Sequence, residues 1–139
     1  MKAGDVVFGC FPVKSGTLAD HHSVVAQVMG DSALIVYTTS VKEGDPVNRR
    51  ALSREFTPGE RELANWPNRC RYDASSVAVV PVKLLKVRGR VPTATLQEIS
   101  QAVQTAVRDK RLDVNHYNPA FDVRATGRSV RGLREAGVH

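Results

Sequence analysis

The first ninety residues are apolar only in short bursts that proline and glycine cut off, and a single later stretch repeats its apolar residues at helical spacing. Asp5-Val6-Val7-Phe8-Gly9-Cys10-Phe11 stops at Pro12, residues 22–29 and 33–39 are separated by Gly30-Asp31-Ser32, and residues 76–82 run on into Leu84-Leu85-Lys86-Val87. Runs this short and this rich in β-branched residues read as strands, and two of them joined by a glycine-containing turn read as a hairpin. Pro81 is expected at an edge or a bulge, because proline cannot donate to a ladder. Residues 14–17 and 41–48 read as loops. The segment 49–73 is mixed, with turns at Pro58-Gly59 and Pro67-Asn68 and room for short strands or a helical turn.

One helix is clear. Thr95-Leu96-Gln97-Glu98 fits a capping box behind Pro92, and Leu96, Ile99, Val103, Ala106 and Val107 recur on one face, with Gln97, Ser100, Gln101 and Gln104 outward. Strands followed by one helix predict a mainly β protein: a small, strongly bent barrel of five to seven strands within residues 4–91, with a helix over 95–108. At 139 residues the chain makes one core, assigned to 1–108, with a basic tail or docked extension over 109–139. Residues 108–139 carry seven Lys or Arg against four acids, and three glycines interrupt them.

Composition narrows the function. The longest apolar run is about half a membrane span, and no signal-like hydrophobic segment follows Met1, so the expected location is cytoplasmic with no membrane contact. Cys10 and Cys70 supply neither metal-ligand spacing nor a disulfide framework, so no metal or cofactor is expected. A net charge of +6 and a pI near 9.7 favour a polyanionic partner. The charge concentrates where no acid opposes it: from Ala74 to Gln97 there is none, and Lys83, Lys86, Arg88 and Arg90 form a candidate phosphate surface. Arg49 and Arg50 could add contacts. Aromatics are 6% of the chain, which leaves Tyr37, Trp66, Tyr72 and Tyr117 as candidates for base stacking.

Taken in order, Gly4-Asp5-Val6-Val7 with Phe11-Pro12, a polar loop, Ser23-Val24-Val25-Ala26-Gln27-Val28, and Val36-Tyr37-Thr38-Thr39-Ser40 ahead of Pro46 resemble the PemK/MazF toxins of type II toxin-antitoxin systems. Lys86-Val87-Arg88-Gly89-Arg90-Val91-Pro92 resembles the segment before their last helix, so the resemblance covers about residues 3–107. It implies an SH3-like barrel of the PemK/MazF/CcdB type, a homodimer, an antitoxin partner, and metal-independent cutting of single-stranded RNA by attack of the ribose 2′-hydroxyl on the adjacent phosphate. The threonine that closes the third strand in the family carries over as Thr38 or Thr39. Where the family reads Arg-Pro before its second strand, this chain reads His22-Ser23 behind His21. Either His22, with His21, does the proton transfer itself, since imidazole titrates where a general base must work, or the chain is a catalytically inactive barrel that binds nucleic acid or a protein, as one borrowed by a mobile element would.

Overall fold

The computed structural model describes residues 1–12, 18–44 and 52–117. Arg49, Arg50 and residues 118–139 of the tail lie outside them. The elements are β1 (Asp5–Pro12), β2 (Leu18–Met29), β3 (Ser32–Ser40), β4 (Ser53–Glu55), α1 (Pro58–Ala64), β5 (Cys70–Pro81), a 3-10 turn (Val82–Leu84), β6 (Leu85–Arg90), α2 (Thr93–Arg108) and β7 (Asp113–His116). All seven described strands belong to one sheet in the order β4-β5-β3-β2-β1-β6, antiparallel throughout that path, with β7 added parallel to β5. The small barrel-like β fold with a helix near its C-terminal end is the one expected from the sequence.

The apolar bursts contain adjacent pairs such as Val6-Val7 and Val24-Val25 because both faces of the sheet are covered, and alternate residues then enter different cores. Val6, Val24, Val36 and Val77 pack with Phe56, Trp66, Tyr72, Ile99 and Ala106 beneath the helices. Val7, Val25, Ile35, Tyr37, Ala78 and Val80 pack on the other side, with Val82, Leu84 and Leu85 at the margin. The two twelve-residue strands each serve different neighbours along their length. β2 pairs with β1 over 18–24 and with β3 over 23–29, while β5 carries β4 on its first half and β7 on its second. Strands shared in this way let one sheet curl over a core.

Four local expectations are corrected. The capping box is not at Thr95: α2 starts at Thr93 behind Pro92 with no side-chain cap, because the buried Thr95 hydroxyl is committed to the Glu60 carboxylate. The box sits instead at Thr57-Pro58-Gly59-Glu60, the stretch read as a turn: Glu60 N–H donates to Thr57 Oγ1 (3.2 Å) and Thr57 N–H donates to Glu60 Oε1 (2.8 Å). Val107 is 57% exposed; the buried stripe runs through Ile99 and Ala106, and Val107 lies past its edge. β5 begins at Cys70 rather than near Ser76. A bulge sets residues 74–76 against no partner on β3, and the Asp73 carboxylate stitches it by accepting from Ser75 N–H, Ser75 Oγ and Ser76 Oγ.

The two helices are joined to the sheet by one charged cluster. Arg54 on β4 donates to Glu60 of α1 through Nη1 (2.8 Å) and Nη2 (2.9 Å), and to Glu98 of α2 through Nε and Nη2 (2.6–3.0 Å). Its guanidinium also lies 5.8 Å from the Tyr72 ring centre. The Arg54 hydrogen bonds, aided by those from Thr57 and Thr95, hold the Glu60 carboxyl down at about 2. Because that value is below the unfolded 4.5, the stabilisation is complete above about pH 4.5 and is lost as the pH falls toward 2. Glu60→Ala is expected to cost about 3 kcal/mol at neutral pH, since it takes from the half-buried Arg54 guanidinium one of its two carboxylates, leaves the buried Thr95 hydroxyl without its acceptor and removes the Glu60 half of the α1 capping box. Thermal denaturation followed by circular dichroism should show a Tm drop of about 10 °C, shrinking as the pH approaches 2.

Candidate functional site

Cross-strand partners point to the same face of a sheet. Arg54 pairs with Tyr72, Tyr72 with Thr38, Phe8 with His22, and Phe8 with Lys86. Thr38 and His22 are joined directly, the Thr38 Oγ1–H donating to the His22 carbonyl at 2.9 Å. One row therefore crosses the sheet as Arg54, Tyr72, Thr38, His22, Phe8 and Lys86.

His22 lies in the middle of this row. Its ring is 4.9 Å from that of Phe8, tilted by 54°, and 6.4 Å from that of Trp66 in an edge-on arrangement. Burial, then the neighbouring His21, then the Arg88 guanidinium lower its pKa below 6.5. The half-buried imidazole is thus neutral at pH 7, the form in which its nitrogen can accept a proton. Thr38 is 4% exposed and its proton is engaged with the His22 backbone, whereas Thr39 is exposed. Alternation turns Thr39 and His21 toward the other face, where His21 Nδ1 lies 3.0 Å from the His22 carbonyl oxygen.

The basic residues divide by partner. Arg54 is neutralised by Glu60 and Glu98, and Arg69 by Glu55 at 2.6 and 2.7 Å. Lys83, Lys86, Arg88 and Arg90 are exposed and have no carboxylate partner among the described residues. They occupy different places on the fold. Lys86 is on the His22 row, and the Arg88 guanidinium lies 5.6 Å from the Phe8 ring centre. Lys83 is in the 3-10 turn, and Arg90 lines a separate cleft of about 420 Å³ with Lys2, Asp5, Leu63, Thr93 and Leu96.

The expected stacking residues are mostly unavailable. Tyr37, Trp66 and Tyr72 are 7%, 7% and 3% exposed, and Tyr117 is half-buried with its N–H on the Val79 carbonyl. Phe8, which sequence reasoning treated only as part of a strand, is the aromatic at the site's surface. The signal was its place opposite His22, and that depends on the β1–β2 register. The Cys70 thiol is pushed by burial up to about 11, so it stays protonated. Among the described residues no three His, Cys, Asp or Glu side chains are grouped to hold a metal ion, and no helix is long and apolar enough to cross a membrane.

No protein-family model matches the chain, and no curated protein matches it. Among solved structures it is similar to an endoribonuclease in complex with its cognate antitoxin from Mycobacterial species. The TM-score is 0.53 at 15% identity, over 78% of this chain and 95% of that one. At that identity the likeness is one of fold.

Since the fold favours a neutral His22, this residue contributes stability above pH 6.5 that is lost as the pH falls toward its folded value. A histidine-ring NMR titration should place His22 below 6.5. Phe8→Ala, which opens its burial, and Arg88→Gln, which removes a neighbouring charge, should each raise it toward 6.5.

Proposed function

We propose that the protein is an endoribonuclease that cuts single-stranded RNA without a metal, with His22 as the general base. The observation that carries this reading is the neutral imidazole of His22, held between Phe8 and Trp66 beside two cations with no carboxylate partner, Lys86 and Arg88. The likeness of fold to an endoribonuclease supports it, as does the ordered set of motifs resembling the PemK/MazF toxins. An antitoxin partner, a homodimer and a cytoplasmic setting belong to the same proposal.

In the proposed step the ribose 2′-hydroxyl attacks the adjacent phosphorus while His22 accepts its proton. The O2′–P bond forms, the P–O5′ bond breaks, and the departing 5′-oxygen takes a proton from water. The products are a 2′,3′-cyclic phosphate and a 5′-hydroxyl end, and His22 then returns its proton to solvent. Lys86 and Arg88 offset the charge that develops on the phosphoryl oxygens. Thr38 acts as a positioning residue by tying the His22 backbone to β3.

Purified protein should cut uniform single-stranded RNA in EDTA, and the rate should show a limb that follows an ionisation below 6.5. His22→Ala should lower the rate by two to four powers of ten with the fold intact, roughly what a positioned base contributes. Thr38→Val should lower it by roughly five- to tenfold through loss of one buried hydrogen bond, and Thr39→Val should leave it unchanged.

A second reading rests on one feature of the same row: the Thr38 hydroxyl proton is already engaged with the His22 carbonyl, so it is not offered to a leaving oxygen. That favours a barrel that binds RNA without cutting it, and intact RNA in both EDTA and magnesium would decide for it. Binding and cutting share one electrostatic expectation. The double change Lys86→Ala and Arg88→Ala should flatten the log–log salt dependence of RNA affinity by about one to one and a half units, at about 0.7 per phosphate contact.

A further inference from the structure

Arg88 owes its direction to an irregularity. On β6 the register with β1 jumps, so that Val6 faces Gly89 and Val7 faces Val87, and Arg88 is the extra residue of a bulge. Bulges re-aim side chains, and this one sets the guanidinium over the Phe8 ring, which also touches His22. The bulge is seated on the last turn of α1. A Cβ on Gly89 would come within 2.7 Å of the Leu63 carbonyl oxygen and of the Ala64 backbone, so only glycine permits the approach. One position further on, Asn65 takes the left-handed conformation (φ 57°, ψ 38°) and its Nδ2 donates to the Arg88 carbonyl at 2.7 Å. The next residue, Trp66, packs edge-on against His22. The dipeptide Asn65-Trp66 thus reaches both a cation and an imidazole that each lie against the Phe8 ring.

We infer that Arg88 and His22 form a single subsite for one phosphate group of a ribonucleotide, and that Asn65 is the positioning residue that holds Arg88 at the working distance from His22. The inference rests on the reading that RNA is the ligand, and it does not require that RNA be cut. The cation is available because no described carboxylate claims it, unlike Arg54 and Arg69. The neutral imidazole supplies a ring N–H that donates to a phosphoryl oxygen, and the guanidinium supplies a charged fork for the others. Asn65 touches neither, and acts through the backbone of Arg88.

The test is a titration of the wild type, Arg88→Gln, Asn65→Gly and Asn65→Asp with uridine 3′-monophosphate at fixed pH, read from the ring signals of His22 by NMR. Asn65→Gly keeps the left-handed backbone and removes the donor, so it separates the hydrogen bond from backbone strain; the Tm of each variant checks that it is folded. The expected result is saturable displacement of the His22 signals in the wild type, Kd raised at least tenfold by Arg88→Gln, and raised about three- to tenfold by both Asn65 variants. His22 signals that ignore the nucleotide, or an Arg88→Gln protein that binds as tightly as the wild type, would overturn the subsite. Equal Kd values for the wild type and Asn65→Gly would overturn the positioning role. The endoribonuclease reading stands or falls separately, on cleavage of RNA in EDTA by the wild type.

Discussion

The clamp of Arg54 between Glu60 and Glu98 is the interaction on which the rest of the molecule depends. β4 is only three residues long and α1 only seven, and neither could hold its place by its own hydrogen bonds. The guanidinium binds both carboxylates with its whole fork, lies over Tyr72, and so ties β4, α1 and α2 to β5 at one point. Glu60 is used three times: it closes the capping box on Thr57, accepts from Arg54 and accepts from Thr95. A buried carboxylate with that many donors is satisfied, which is the condition under which a buried charge can be tolerated. With α1 fixed, its last turn lies against Gly89, and Asn65 and Trp66 fall beside Arg88 and His22.

Charge placement follows the same division between holding and offering. Arg54 and Arg69 spend their charge on carboxylates, and Arg88 on β6 does not. A local positive field therefore survives in a chain whose net charge of +6 would otherwise say little about where a polyanion meets it. His22 sits at the margin of that field and half out of water. Both conditions favour the uncharged ring.

β7 shows how the chain uses residues beyond α2. After Lys110, which takes a positive φ of 55°, the chain returns along β5 and pairs in parallel from Ser76–Asp113 to Val79–His116. This strand extends the sheet beside β5 and brings Asp113 and Asn115 to Tyr37. The Tyr37 phenol is pushed to about 12, first by burial and then by the Asp113 carboxylate, while Asn115 hydrogen-bonds to it.

Much of the architecture was readable from one dimension because it depends on local pattern. The β2–β3 hairpin follows from Gly30-Asp31-Ser32 between two β-branched runs, and α2 follows from the spacing of Leu96, Ile99, Val103 and Ala106. Lys86 and Arg88 could be named as candidates from their residue types and neighbours, and His22 from its place where the resembled family keeps an arginine. Their arrangement could not, because it rests on strand register and on two bulges, and a shift of one residue in either would have turned the row to the other face. Thr38 was separated from Thr39 only by the pairing that puts its hydroxyl on the His22 carbonyl. The Thr57 capping box was hidden behind a Pro-Gly that reads as a turn, and the box at Thr95 failed because a carboxylate 35 positions away claims its hydroxyl. Local sequence carries the period of an element and the chemistry of each side chain. Which side chains share a site is set by contacts between distant segments, whose energies appear only once the sheet has closed.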